Sequence, residues 1–308
     1  MESILQWGLE FIRAVQTIEN PALTGIMKAI TSIGGEPAYI ILLPVFFWCI
    51  DEKKGLHLGF AVLISAWINM SLKYLLDQPR PFFEGYDPSL GMISERMGGL
   101  PSGHAQNTLV MFFIIASWIK KNWAYTGAAV LCLLISFSRI YLGVHFPTDI
   151  IAGWILGGIV LLGYFLFSGK IETLLVKGGF RAGMITTAIV SFIMILYLPS
   201  RSLLMPGGIL FGFGIGYCLN KRYVGFASKE LLGRTGAKKY LTLAGRMVFG
   251  IAGFLLIFFA AGYLIPQESG NQRLYIFIQL ALTGLWVSVA APWVFIKLRL
   301  AGICAEQK

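Results

Sequence analysis

The sequence predicts an all-α fold: a polytopic transmembrane helix bundle of about nine spans, with an N-terminal amphipathic interfacial helix. Three observations carry that prediction. Hydrophobic residues fill 56% of the 308 positions and charged residues only 13%. Apolar runs near the ~20 residues needed to cross a bilayer as helix recur along the chain. These runs are continuously apolar, whereas the strands of a transmembrane barrel would alternate apolar and polar residues.

The first segment covers residues 1–35. In MESILQWGLEFIRAVQTIE, Ile4, Gly8, Phe11, Val15 and Ile18 fall on one helical face, and Glu2, Gln6, Glu10, Arg13 and Thr17 on the other. Such a helix suits the membrane interface or packs against the bundle. It lacks a basic leader and a small-residue cleavage site, so no cleavable signal peptide is expected.

Spans follow at about 36–50, 56–76, 103–119, 123–141, 148–168, 182–198, 205–220, 243–265 and 274–296. The first is short, and its apolar character begins near Leu23. A composition break near 169–180 separates a core, 36–168, from a four-span C-terminal region, 169–308. Every residue that looks chemical lies before the break. The C-terminal spans could shape a lipid groove, bind a partner or form a homodimer contact. Gly153/Gly157 and Gly208/Gly212/Gly216 have the spacing that lets helices approach closely. Arg246, near a helix end, is expected to snorkel to the headgroups.

The net charge of +10 does not indicate nucleic acid, because the basic residues sit in loops between apolar runs. Loops 51–55, 120–122, 169–181 and 221–240 are basic, as is the segment after the last span. With nine spans all of them fall on one side, which the positive-inside rule makes cytoplasmic. The other side collects Lys73, Arg80, Ser102, His104, Arg139, His145 and Asp149. Cys49, Cys132, Cys218 and Cys304 have no metal or redox spacing and read as packing residues. Without a lumenal glycosylation or retention signal, a bacterial cytoplasmic membrane is the expected location, with the site periplasmic or extracellular.

The chemistry comes from three segments. Lys73 closes the second span and Arg80 follows it; Arg139 lies near the end of the fourth. Three cations at one membrane face are costly unless an anion meets them. Arginine offers a planar fork to phosphate oxygens and lysine a compact charge. PSGHAQN, residues 101–107, opens a helix. The helix N-terminus suits an anion, Ser102 adds a hydroxyl, Gly103 admits close backbone approach and His104 can protonate a leaving oxygen. A plain serine N-cap beside a surface histidine is the competing reading. In SRIYLGVHFPTD, residues 138–149, Pro147 suits a first helical turn. His145 and Asp149 are four apart and can face each other, the carboxylate fixing the tautomer of a nucleophilic imidazole. His104, His145 and Asp149 could instead ligate a metal, but the three cations would repel it. His57, at the far end of its span, reads as structural.

KYLLDQPRP (73–81), PSGH (101–104) and SRIYLGVHFPTD (138–149) together resemble the three-part signature of the type 2 phosphatidic acid phosphatase superfamily, K-x6-R-P, P-S-G-H and S-R-x5-H-x3-D. Every defining position is met, and the resemblance extends over about 36–168; none is recognised for the last four spans. It implies that Lys73, Arg80, Ser102, Gly103 (through its N–H) and Arg139 hold phosphate. It implies that His145 is the nucleophile, His104 the proton donor and Asp149 the residue orienting His145. It also implies no metal and no organic cofactor. The superfamily includes soluble vanadium haloperoxidases, but a membrane-embedded chain favours phosphatase chemistry on a lipid phosphate or pyrophosphate. A transferase using the same histidine, a glucose-6-phosphatase-like sugar phosphatase and a non-enzymatic transporter or scrambler are the alternatives. In the transferase reading, Glu84, Asp87, Glu95 and Arg96 of loop 82–100 are candidate specificity residues.

Overall fold

The computed structural model describes residues 2–83, 85–95, 97–196, 201–264 and 272–303. Among them every regular element is helical, apart from one isolated bridge between Phe226 and Ile303, and the longest connection is loop 77–102. The helices are α1 (Glu2–Gln16), α2 (Pro21–Ile33), α3 (Glu36–Pro44), α4 (Glu52–Leu76), α5 (Gly103–Ile119), α6 (Asn122–Tyr141), α7 (Pro147–Leu196), α8 (Arg201–Leu219), α9 (Gly236–Leu264), α10 (Gln272–Leu285) and α11 (Ala291–Lys297). Short π turns extend α3 through Ile50 and α8 through Val224, and join α10 to α11.

Among the described residues, five helical stretches are long and apolar enough to cross a membrane, or six if the broken pair Pro21–Ile33 and Glu36–Ile50 counts as one span. The expected count of about nine is not confirmed. The stretches 148–168 and 182–198 both lie in α7, which is two helical segments joined across a kink at Gly179, where the backbone leaves the helical region (φ +65°, ψ −157°). The small, charged residues near 169–181 thus mark the break between the two segments. The expected span at 103–119 is α5, but with 17 residues it is about 25 Å long, short of a ~30 Å hydrocarbon core. Wide apolar faces are exposed, as on α7 with Ile151, Ile155, Ile159 and Leu162. In an integral membrane protein such faces meet lipid tails rather than water.

The chain divides into two compact units, residues 1–40 with 64–166 and residues 41–63 with 167–308. In the first, α1 buries Leu9 and Ile12 against Leu90, Ala105, Ile140, Phe146 and Ile150. The buried stripe is therefore Leu5, Leu9, Ile12 and Val15, one register round from the expected face; Ile4, Phe11 and Ile18 are exposed. Gly153 and Gly157 of α7 lie against Ser102, Ala105 and Gln106, so that α5 and α7 approach backbone to backbone.

In the second unit, Phe47, Trp48, Phe213, Phe226, Ala291 and Phe295 form an aromatic core. The glycines at 208, 212 and 216 are used internally, against Leu280, Ala281 and Ser288, which leaves the homodimer expectation without support there. Arg246 does not snorkel. It is fully buried and donates to the carbonyls of Trp48 (2.6 Å), Ser228 (2.6 Å), Leu300 (2.9 Å) and Glu230 (3.1 Å), with Phe226 beneath its guanidinium. His57 Nε2 lies 3.5 Å from Glu172 Oε2.

Candidate active site

The site is built entirely within the first unit, where the ends of α4, α5 and α6 and the start of α7 converge. Its floor is the junction of α5 and α7. Ser102 caps α5, its Oγ accepting from Ala105 N at 3.5 Å, and its own N–H donates to the Asp149 carbonyl at 2.9 Å. As an acceptor the Ser102 hydroxyl keeps its proton to donate. The first-turn N–H groups of α5, including that of Gly103, have no carbonyl four residues back to bond. A methyl at Gly103 would stand 2.9 Å from Asn69 Oδ1, so close packing requires glycine there.

Below this floor runs a buried polar ladder that the sequence motifs do not mark. Asn69 Nδ2 of α4 donates to Pro101 O (3.2 Å) and Gln106 Oε1 (2.8 Å). Gln106 Nε2 donates to the Ser65 carbonyl and hydroxyl, and Ser65 Oγ to Asn107 Oδ1 at 2.7 Å. The only hint in the sequence is that these polar residues recur inside apolar runs, at spacings that share a helical face.

His145 stands in the turn between α6 and α7. That turn is tight: Gly143 has φ +70°, and the Leu90 carbonyl packs where a side chain would begin, so only glycine fits. His145 Nδ1 lies 3.1 Å from Asp149 Oδ2, and Arg80 Nη1 lies 3.2 Å from His145 Nε2. Arginine can only donate, so Nε2 carries the lone pair and Nδ1 the hydrogen shared with Asp149. Asp149 is held in turn by Phe146 N (3.0 Å) and Gln78 Nε2 (3.2 Å). Burial, reinforced by the positive charges of Arg80, Lys73 and Arg139 and by His104, holds the His145 imidazole well below the ordinary histidine value.

The cations line the wall. Arg80 is buried, which lowers its guanidinium to about 10, still charged at neutral pH. It also donates to Val144 O and Met97 O, each at 2.7 Å. Lys73 Nζ donates to the carbonyls of Gly98 (2.6 Å) and Gly99 (2.9 Å). Arg139 donates to Thr31 Oγ1 at 3.0 Å and to Glu95 Oε1, while its buried Nε has no partner. Burial alone would raise the Glu95 carboxyl, but Arg139, Arg80 and Lys73 outweigh it and hold it below the usual carboxylate range.

His104 opens α5 and is partly exposed. Its ring lies against the Gly34–Gly35 break between α2 and α3, where a methyl on Gly35 would sit 3.4 Å from Nε2. Thr31 and this glycine pair were missed by sequence reasoning, though a Gly-Gly dipeptide is a recognisable helix breaker.

The rim, loop 77–102, is tied down largely through its own backbone. Besides the Lys73 and Arg80 contacts, Met92 N donates to Leu142 O (3.1 Å) and Gln16 Nε2 to Leu90 O (2.9 Å). Of the four expected specificity residues, Asp87 is taken up by Arg13 and Ser89, Glu95 lies between the arginines, and Glu84 and Arg96 fall outside the described residues.

All eight sequence-predicted residues thus belong to one cluster at one end of the first unit. Two family models match the chain: "PAP2 superfamily" over residues 54–172, and "PAP2 superfamily phosphatase, transmembrane extension" over 204–303. The chain carries a PAP2 superfamily domain followed by a PAP2 transmembrane extension. Its C-terminal region, which the motifs left unassigned, is thereby a recognised extension of PAP2 phosphatases. Among PAP2 relatives, phosphatidylglycerophosphatase B of Bacillus subtilis is 29% identical over 170 residues, covering 51% of this chain and 79% of its own. Undecaprenyl-diphosphatase of Sulfolobus acidocaldarius is 29% identical over 162 residues, covering 51% of this chain and 76% of its own. A crystal structure of a transmembrane PAP2-type phosphatidylglycerolphosphate phosphatase from Bacillus subtilis aligns with a TM-score of 0.48 at 26% identity, over 56% of this chain and 89% of that one.

Proposed function

We propose that this PAP2 phosphatase hydrolyses the phosphomonoester or pyrophosphate of a membrane lipid through a phosphohistidine, without metal or organic cofactor. One observation carries the proposal: His145 presents a lone pair on Nε2, beside Arg80, while Asp149 holds Nδ1. In the reaction, Nε2 attacks phosphorus and the bond to the lipid oxygen breaks. His104 gives that oxygen a proton. Water then attacks the phosphohistidine, His104 takes its proton, and phosphate leaves a regenerated His145. Arg80, Arg139, Lys73, Ser102 and the Gly103 N–H stabilise the charge that spreads over the phosphoryl oxygens. Residues 36–168 would form the catalytic core, 169–308 a membrane extension and 1–35 a segment with α1 at the interface.

A lipid substrate is favoured by a site at helix ends and by relatives named for lipid phosphates and diphosphates. Charge local to the core supports a reading of the site's side of the membrane. Lys120 and Lys121 cap the turn between α5 and α6 at the end away from the site, and Lys53 and Lys54 open α4 at the end away from Lys73. The positive-inside rule then favours an extracytoplasmic site, in a bacterial cell the periplasmic or outer face of the cytoplasmic membrane.

The test is phosphate release by the purified protein from a panel of lipid phosphates, lipid pyrophosphates and glucose 6-phosphate, with EDTA and beside His145→Ala. Release that resists EDTA and vanishes in the variant is expected. Release abolished by EDTA, or persisting without His145, would refute the mechanism; transfer to an added acceptor in place of release would select the transferase reading.

A further inference from the structure

The carboxylate of Glu95 lies where the proposed reaction needs a phosphoryl group. It pairs with Arg139 Nη2 and stands 3.7 Å from Arg80 Nη2. The two arginine side chains are 3% and 2% exposed, whereas that of Glu95 is 28% exposed, so the carboxylate stands on the solvent side of the pair. No other acidic side chain among the described residues reaches either guanidinium.

The fit is incomplete. The contact to Arg80 is beyond hydrogen-bond distance, and Arg139 Nε is buried with no acceptor. A carboxylate has two oxygens; a bound phosphoryl group offers three around a tetrahedral centre. The charges agree with this. Lys73, Arg80 and Arg139 supply three positive charges, and Asp149 and Glu95 carry two negative ones. Withdrawing Glu95 leaves the cluster one positive charge richer, the direction that receiving a phosphate dianion requires.

We propose that Glu95 is an internal place-holder: it occupies the oxyanion cradle between Arg80 and Arg139 when no substrate is bound, and the substrate phosphoryl group must displace it. The inference rests on the phosphate-binding role proposed above for those arginines. Glu95 keeps two buried guanidinium groups paired in the empty site, where unpaired charge is costly. It also sets a threshold for entry, because an anion that cannot outcompete a tethered carboxylate is excluded. Glu95 is thus a specificity-determining residue that favours doubly charged tetrahedral oxyanions over carboxylates and monoanionic diesters.

The experiment titrates orthovanadate into the purified protein by calorimetry, which needs no turnover, comparing the unaltered chain with Glu95→Gln and measuring KM and kcat for the best substrate. Glu95→Gln keeps the side-chain volume. It is expected to bind vanadate about tenfold tighter or more, with a similar fall in KM and little change in kcat. Equal or weaker vanadate binding in the variant would overturn the proposal while His145-dependent hydrolysis by the unaltered chain stood. A second measurement requires no variant: amide exchange over residues 91–99 should quicken when vanadate saturates the unaltered protein, and unchanged or slower exchange there would also overturn it. If the unaltered chain neither binds vanadate nor releases phosphate, the phosphatase reading itself fails and the place-holder with it.

Discussion

His145 and Asp149 make the sharpest claims at the scale of single residues. Asp149→Asn would keep the shape of the site but disturb the hydrogen on Nδ1. Loss of tautomer control in a comparable triad costs on the order of 10⁴-fold in kcat, and a fall of ~10³–10⁴-fold is expected here, read as kcat at saturating substrate. The imidazole of His145 is held well below its ordinary value of 6.5, so it stays neutral in the folded protein at mildly acidic pH. The acid limb of kcat/KM assigned to it should therefore lie below pH 6.5. The same depression sets a sign for stability. Below pH 6.5 the unfolded chain binds a proton that the folded site refuses, so this contribution to stability is complete above that value and lost as pH falls. The spacing of His145 and Asp149 was legible in the sequence because four residues is one helical turn. Glu95 was legible only as one of four candidate specificity residues in its loop, because nothing in a loop's sequence states which side chains it folds over.

Among the helices, the floor of the site depends on contacts that no motif names. Asn69 bridges α4 to the start of α5 through Pro101 and Gln106. Asn69→Ala would strip partners from buried polar groups, each costing about 1–3 kcal/mol, so a lower midpoint of thermal inactivation in detergent is expected together with reduced activity. Unchanged thermal stability would show the ladder to be incidental. Helix existence was well predicted because unbroken apolar runs are a strong signal. Span count is not confirmed: the expected break near 169–181 does fall at the Gly179 kink of α7, but α5 has only 17 residues, a length that hydropathy averaged over a window does not resolve. The face of α1 that packs on the protein could not be separated from the one left exposed, because apolar residues cover more than half the helix. Burial in the protein claimed Leu9 and Ile12 and left Ile4 and Phe11 outside.

For the molecule as a whole, two units divide the work: the first holds every candidate site residue, and the second is packed around aromatic side chains and Arg246. Arg246→Gln would remove carbonyl partners that a charged donor holds at about 1.5–3 kcal/mol each. The expected result is a clear loss of stability in denaturant titration, with kcat of the surviving folded protein within a few-fold of the original. A selective loss of kcat with stability intact would contradict a purely structural role. The three candidate-site segments could be read from sequence because their spacing is rigid. The C-terminal unit could not, since its packing rests on glycines and aromatics that resemble any membrane helix.

The attachment of the rim has an evolutionary consequence. Lys73 and Arg80 hold loop 77–102 by the carbonyls of Met97, Gly98 and Gly99, and Gln16 and Leu142 hold it by the main chain of Leu90 and Met92. Within 82–97 these ties run through the main chain, while Asp87, Leu90 and Glu95 add side-chain contacts to α1, to the core and to Arg139. Mutations at positions of 82–97 without such contacts can therefore accumulate while the loop stays anchored. Such a scaffold lets descendants exchange the headgroup they admit and inherit the chemistry unchanged.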